Sequence, residues 1–178
     1  MNGRLDDAIL VRAAKDGDVD AFEELVRRYQ TPIYRVALRM LGSRADAQDA
    51  VQETFVRAWR AMPHFRQDSA ISTWLYRIVT RRCLDRIAAR RTTDTLGEIE
   101  LEAGPDPAQA AERRERLRAV TRAIASLPPE QRAALVLREF EGLSYQEVAQ
   151  ILGTSLPAVK GRIHRARLTI IQETSSWQ

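Results

Sequence analysis

The sequence of 178 residues contains a single cysteine, Cys83, and only two histidines, His64 and His164. A lone cysteine excludes an internal disulfide, and so few Cys and His side chains exclude a clustered zinc site or a Cys–His nucleophilic pair. No run of eighteen apolar residues is present that could span a bilayer as a helix. The N-terminal MNGRLDDAILVRAAKDG carries acids where an export signal needs a basic start and a long apolar stretch, so a cytoplasmic location is expected. Apolar–polar alternation of period two is missing, which leaves no strand to expect. Acids are scattered along the chain, yet no paired carboxylates and no nucleophile–base set stand at workable spacing. No catalytic residue, metal, cofactor or small-molecule substrate is therefore expected.

What is present is helical periodicity. Phe22, Leu25, Val26 and Tyr29 share one face, and Ile33, Val36, Ala37, Met40 and Leu41 share the next, with Pro32 near a break between them. Gly42 closes that segment and Ser43 caps another, whose stripe of Ala47, Ala50, Val51, Thr54, Phe55, Ala58, Trp59 and Met62 runs to Pro63. After a polar loop, Leu75, Val79, Cys83 and Ile87 mark a helix from Thr73 to about Arg91. Between Thr92 and Glu112 the pattern stops at Gly97, Gly104, Pro105 and Pro107, which reads as a flexible tether. Leu117, Val120 and Ile124 then restart a helix, and Leu135 to Phe140 supply another. The expected fold is all-α: a helical domain over 1–91, an acidic linker over 92–112 and a second helical domain over 113–178.

The charge is sorted along this scheme. Residues 1–62 hold ten basic and ten acidic side chains, 63–91 seven and two, 92–112 none and six, and 113–178 eleven and six, for net charges of 0, +5, −6 and +5. Two basic blocks around an acidic strip suit two contacts with one polyanion. Solvated arginine-rich faces would explain the charge alone equally well.

Three constellations narrow the choice. In GLSYQEVAQILGTSLPAVKGRIHRARLTI, Ser144 and Glu147 form a capping box, Val148, Ala149 and Leu152 face inward, and Gly153 ends the helix. A four-residue turn leads into a second helix with Val159, Ile163, Ala166 and Ile170 inward, so the segment reads as a helix-turn-helix. Its outward face centres on Gly161, with Lys160, His164 and Arg165 around it and Arg162 and Arg167 at the flanks. A mid-helix glycine costs about 1 kcal/mol relative to Ala, and a missing side chain lets the backbone come close to a groove wall. In the second constellation, Asp46, Asp49, Gln52, Glu53 and Arg57 lie opposite an apolar stripe. An exposed Glu53–Arg57 pair contributes only about 0.3–0.5 kcal/mol. In the third, a loop bearing Phe65, Arg66, Asp68 and Ser69 leads into a helix with Trp74, Arg77, Arg81 and Asp85 on one side and Arg82 and Arg86 adjacent. Aromatics among cations suit single-stranded nucleic acid. Trp74 and Phe65 fit a core position as well as a stacking platform.

Taken in order, DAQDAVQETFVRAW, FRQDSAISTWLYRI, a Pro/Gly-containing linker, LPPEQRAALVLREFEGLSYQEVAQILGTS and a basic last helix resemble the bacterial RNA polymerase sigma factors of the extracytoplasmic-function (ECF) group. The resemblance implies partners: core RNA polymerase through its β′ clamp and β subunits, promoter DNA both duplex and single-stranded, and an anti-sigma factor. It assigns core-polymerase binding to Asp46, Asp49, Gln52, Glu53 and Arg57. Melting and reading of the minus-ten element fall to Phe65, Arg66, Asp68, Ser69, Thr73, Trp74, Arg77, Arg81, Arg82 and Asp85. The minus-thirty-five duplex falls to Ser155, Ala158, Lys160, Gly161, Arg162, His164 and Arg165. Relatives commonly carry Gly-Thr-Val and a Ser or Thr between the two basic residues, whereas here Pro157, Ala158, Val159 and Gly161 remove hydrogen bonding from positions 158 and 161. Recognition then shifts to flanking cations and duplex shape. The six acids between Asp94 and Glu112 are expected to occupy a cationic polymerase channel as a nucleic-acid mimic.

A stand-alone regulator would also carry a helix-turn-helix, but it leaves the second basic block without a purpose and predicts tight duplex binding by the free protein. A helical enzyme is the third reading, and it lacks a reacting group.

Overall fold

The computed structural model describes residues 2–90 and 107–175. Among these the fold is all-helical: α1 (Asn2–Lys15), α2 (Val19–Leu41), α3 (Arg44–Ala61), a 3₁₀ turn (Met62–His64), α4 (Ile71–Arg90), α5 (Pro107–Ser126), α6 (Pro129–Leu135), a π turn (Val136–Phe140), α7 (Tyr145–Leu152) and α8 (Leu156–Thr174).

Local chemistry sets most of the ends. Asp18 caps α2 by accepting from the Ala21 amide at 3.0 Å. Gly42 takes the left-handed conformation (φ 68°) and donates to Leu38 O at 2.8 Å, ending α2. Ser43 at once caps α3 through the Asp46 amide. Pro63 then limits α3 to a closing 3₁₀ turn.

Pro32 behaves differently from expectation: α2 runs through it as one helix of 23 residues. Proline in a helix interior costs about 3 kcal/mol in isolation. Here Leu25 before it and Ile33, Val36, Ala37 and Met40 after it are all fully buried against neighbouring helices, so tertiary packing holds the register across the defect.

α1–α4 form a bundle whose core is closed by Phe22 against Trp59, ring centroids 5.0 Å apart. Cys83 sits in this core with no solvent exposure, and burial pushes its thiol up to about 12. In the second half, α5 and α6 both pack on α8. Of the expected α5 stripe Ile124 is buried, whereas Leu117 and Val120 are exposed and Ala119 and Ala123 are the buried positions instead. Small side chains let α5 approach α8 closely, with Ile124, Leu127, Leu135 and Ala166 filling the seam.

Two further expectations change. Residues 107–112 of the anticipated tether belong to α5, while 91–106, with the acids from Asp94 to Asp106, lie outside the described residues. The halves are also joined, since α7 packs on α4 and the π turn packs on α2, and one buried cluster runs through both.

Candidate nucleic-acid interfaces

The α3 stripe divides by depth. Asp49, Gln52 and Arg57 are exposed. Asp46 and Glu53 instead face α4. Arg86 donates to Glu53 Oε1 at 3.0 Å and to Asp46 Oδ1 at 3.3 Å, Arg82 Nε donates to Glu53 Oε2 at 2.8 Å, and Arg90 pairs with Asp46. Hydrogen bonds from Arg86 and then Arg82 hold the Glu53 carboxyl below its ordinary range. This ladder braces α3 to α4, so Asp46, Glu53 and Arg82 are engaged within the chain. Sequence spacing pointed to Arg57 as the partner of Glu53, whereas the partners that bind it come from the next helix. Asp49 and Gln52 also line an open groove of about 590 Å³ with Gln48 of α3 and Gln30, Thr31 and Tyr34 of α2. The α2 members escaped sequence reasoning because nothing local links them to α3.

The loop after the 3₁₀ turn is anchored rather than free. Phe65 is buried, its ring 4.7 Å from that of Trp74, and Thr73 is buried too, so neither Phe65 nor Thr73 presents itself to a base. Lys15 of α1 donates to the Phe65 carbonyl at 2.8 Å. Gln67 adopts φ 57°, the left-handed region that a residue with a Cβ seldom occupies. Arg66, Gln67 and Asp68 are exposed and Ser69 half-buried. Gln67 was absent from the expected set, and no propensity signals it, since glutamine does not favour that conformation. Next to the loop, α4 shows Arg77, Arg81 and Asp85 at four-residue spacing on one exposed face.

The helix-turn-helix is built as its sequence dictates. Ser144 N donates to Glu147 Oε2 at 2.8 Å and Glu147 N to Ser144 Oγ at 3.2 Å, completing the capping box. Gly153 is left-handed (φ 60°), and Ser155 Oγ accepts from the Ala158 amide at 3.3 Å to start α8. Ser155 and Ala158 thus form the cap. Val159, Ile163 and Ala166 are buried, which leaves Lys160, His164 and Arg165 exposed. The Lys160 ammonium stands 5.9 Å from the Tyr145 ring centroid, Arg162 pairs with Glu130 of α6, and Arg167 pairs with Glu139. A Cβ at Gly161 would lie 3.3 Å from Arg165 Nη1. The glycine therefore makes room for the Arg165 guanidinium to lie along its own helix.

Among the described residues no group of three or more His, Cys, Asp or Glu could hold a metal ion, and no helix is long and apolar enough to cross a membrane.

Comparison with known proteins bears on these surfaces. Residues 25–93 match the family Sigma-70 region 2, and residues 117–170 match Sigma-70, region 4. The chain is 38% identical over 176 residues to the RNA polymerase sigma-H factor of Pseudomonas aeruginosa, covering 92% of this chain and 91% of that protein. It is 37% identical over 184 residues to the ECF RNA polymerase sigma-E factor of Escherichia coli K12, covering 96% and 95%. Among solved structures, CnrH in complex with the cytosolic domain of CnrY superposes with a TM-score of 0.75 at 30% identity, over 96% of this chain and 98% of that one. The helix-turn-helix with its exposed cations, the anchored loop beside Arg77 and Arg81, and these likenesses over nearly the whole length agree: the chain belongs to the ECF group of the sigma-70 family, an alternative sigma factor that directs RNA polymerase to promoters.

Proposed function

We propose that this sigma factor docks on the polymerase β′ clamp through Asp49, Gln52 and Arg57 of α3 and the adjoining α2 groove. Asp46 and Glu53 support that surface from behind by fixing α4. Arg66, Gln67, Asp68 and Ser69 then read bases of the displaced minus-ten strand, while Arg77 and Arg81 follow its phosphates and Asp85 helps set their orientation. Extruded bases need a pocket that exists before they arrive, and Phe65, Trp74 and Lys15 supply its rigid floor. In this reading Phe65, Thr73, Trp74 and Arg82 act through the loop and helix they hold. α8 enters the major groove at the minus-thirty-five element, with Lys160, His164 and Arg165 toward the DNA and Arg162 free to exchange Glu130 for a phosphate.

The observation that carries this reading is the pair of exposed cationic faces, α8 and the Arg77–Arg81 side of α4, in one chain. One promoter contacted at two places requires two such faces. The acids between Asp94 and Glu112 fit the proposed role of nucleic-acid mimic in a cationic polymerase channel, and replacing Glu98, Glu100 and Glu102 by Gln tests it through the yield of abortive transcripts at low salt. CnrH is solved with the cytosolic domain of CnrY, and by that likeness we propose a protein partner for this chain in the cytoplasm, the anti-sigma factor that the sequence resemblance implies. Run-off transcription with purified bacterial core polymerase over a promoter library is the decisive measurement. New start sites that appear only with the chain are expected, and an unchanged start-site pattern would refute the proposal.

A further inference from the structure

Lys15 is the last residue of α1, and it touches a loop fifty residues away. Although the exposed acids Asp16 and Asp18 follow it closely, its ammonium donates instead to the Phe65 carbonyl at 2.8 Å, in a half-buried position. A charged donor makes a stronger hydrogen bond than a neutral one, and a lysine tied down in this way gives up rotamer freedom that an ordinary surface lysine keeps. The donor is also firmly placed. Val11 and Ala14 bury α1 against the bundle, Arg28 of α2 donates to Asp7 Oδ1 at 2.9 Å, and Tyr29 pairs with the same carboxylate. Lys15 thus carries the position of α1 and α2 into the loop.

The loop has little of its own to hold it. It runs from buried Phe65 to buried Ile71, and among the described residues Arg66, Gln67 and Asp68 make no hydrogen bond. Yet Gln67 lies at φ 57°, a conformation that costs a residue with a Cβ free energy and persists only where the surroundings impose it. Two contacts do so from outside the loop. Stacking on Trp74 fixes the Phe65 ring but leaves the peptide group after it able to turn. The Lys15 ammonium fixes that group, because the Phe65 carbonyl and the Arg66 amide lie in one plane. The direction in which the chain leaves toward Gln67 is then set.

We infer that Lys15 is a positioning residue for the minus-ten strand: by holding the peptide plane between Phe65 and Arg66 it keeps Gln67 left-handed before any base arrives. Gln67 is the reading residue whose presentation this sets. The inference rests on the base reading by this loop given above, and it extends the reading apparatus to α1, which touches no base. Without the tether the loop samples other shapes, and apparent affinity for the strand falls with the fraction that keeps the competent one. If that fraction drops to about one in ten, the loss is about tenfold.

The test uses the full chain bound to core polymerase and a pool of short single-stranded DNA of randomised sequence, from which the wild type should enrich one motif. Lys15→Met keeps the apolar stem but has no donor. It should weaken binding of the enriched strand about tenfold and flatten the preference at one position, with holoenzyme assembly, helix content and duplex binding by α8 unchanged. Lys15→Arg retains a charged donor and should stay within about twofold of wild type. Gln67→Gly should by itself lose the preference at that position, since it removes the side chain. It also takes the left-handed conformation without strain, so in that background Lys15→Met should cost less than about twofold.

A motif that stays equally sharp in Lys15→Met, an arginine variant as weak as the methionine one, or losses that simply multiply in the double variant would each overturn the positioning role. If the wild type enriched no motif, base reading by the loop would fall and this inference with it. The wild-type pool alone tells the two failures apart.

Discussion

The arginines of α4 and the cations of α8 look alike in sequence and serve differently in the fold. On α4, Arg82 and Arg86 turn toward α3, are one-fifth exposed, and are neutralised by Asp46 and Glu53. One helical step away, Arg77 and Arg81 face solvent. On α8 the division is looser: Arg162 and Arg167 reach surface acids of neighbouring elements, while Lys160 and Arg165 remain exposed. A basic run is thus not one feature. Its members divide into braces and solvent-facing cations according to the helix face they occupy, and only the packed partner determines which.

That division can be broken or sharpened, beginning with the largest effect. Arg86→Ala removes hydrogen bonds to two carboxylates at once and should lower stability by about 1–2 kcal/mol, a shift of several degrees in thermal unfolding by circular dichroism. Arg81→Ala should change unfolding by less than about 0.5 kcal/mol and weaken minus-ten strand binding in the holoenzyme. Equal destabilisation by the two would erase the distinction. On α8, Arg165→Ala should reduce promoter affinity at every salt concentration and lower the salt slope by about 1, as for one lost phosphate contact. If the slope holds while one promoter sequence suffers more than others, Arg165 reads a base edge instead.

Gly161→Ala is subtler. It should raise thermal stability by up to about 1 kcal/mol, since alanine is the better helix former and the nearest atoms belong to the far end of the flexible Arg165 side chain. The displaced guanidinium should at the same time alter preference among minus-thirty-five sequences. A stabilised variant with unchanged preference would show that the seat for Arg165 has no role in reading.

The smallest effect is acid sensitivity at the brace. Glu53 has a folded pKa lowered from its ordinary 4.5, so the stability it contributes is fully present above that value and is lost as pH falls through the lowered folded value. Its side chain is 39% exposed, so solvent screening keeps the contribution small. Glu53→Gln should flatten that part of the stability–pH curve, just below the ordinary carboxylate range, as read by thermal unfolding across acid pH.

The local devices were legible from the sequence alone. Gly42 with Ser43, the Ser144–Glu147 box and Gly153 act within four residues of themselves, so composition and spacing suffice to place them. The phase of α5 was not legible, because Leu117 and Val120 are more apolar than Ala119 and Ala123, yet close approach to α8 favours the smaller pair. Pro32 was overruled by burial on both its sides. The brace joins residues 29 to 44 apart in sequence, and Glu141 meets Tyr76 across 65. Periodicity announces that a face exists but carries no information on which other face it meets. For the same reason Phe65 could be read as either anchor or platform until Lys15 and Trp74 were seen holding it.

The depth of Cys83 has a practical consequence. With its thiol pushed up by burial to about 12, Cys83 stays protonated at neutral pH, and its sulfur is shielded by the α2–α4 packing. Peroxide and alkylating reagents should pass this protein by while it stays folded. A cysteine introduced at any exposed position can then be labelled alone, and reaction of Cys83 itself becomes a clock for unfolding of the bundle.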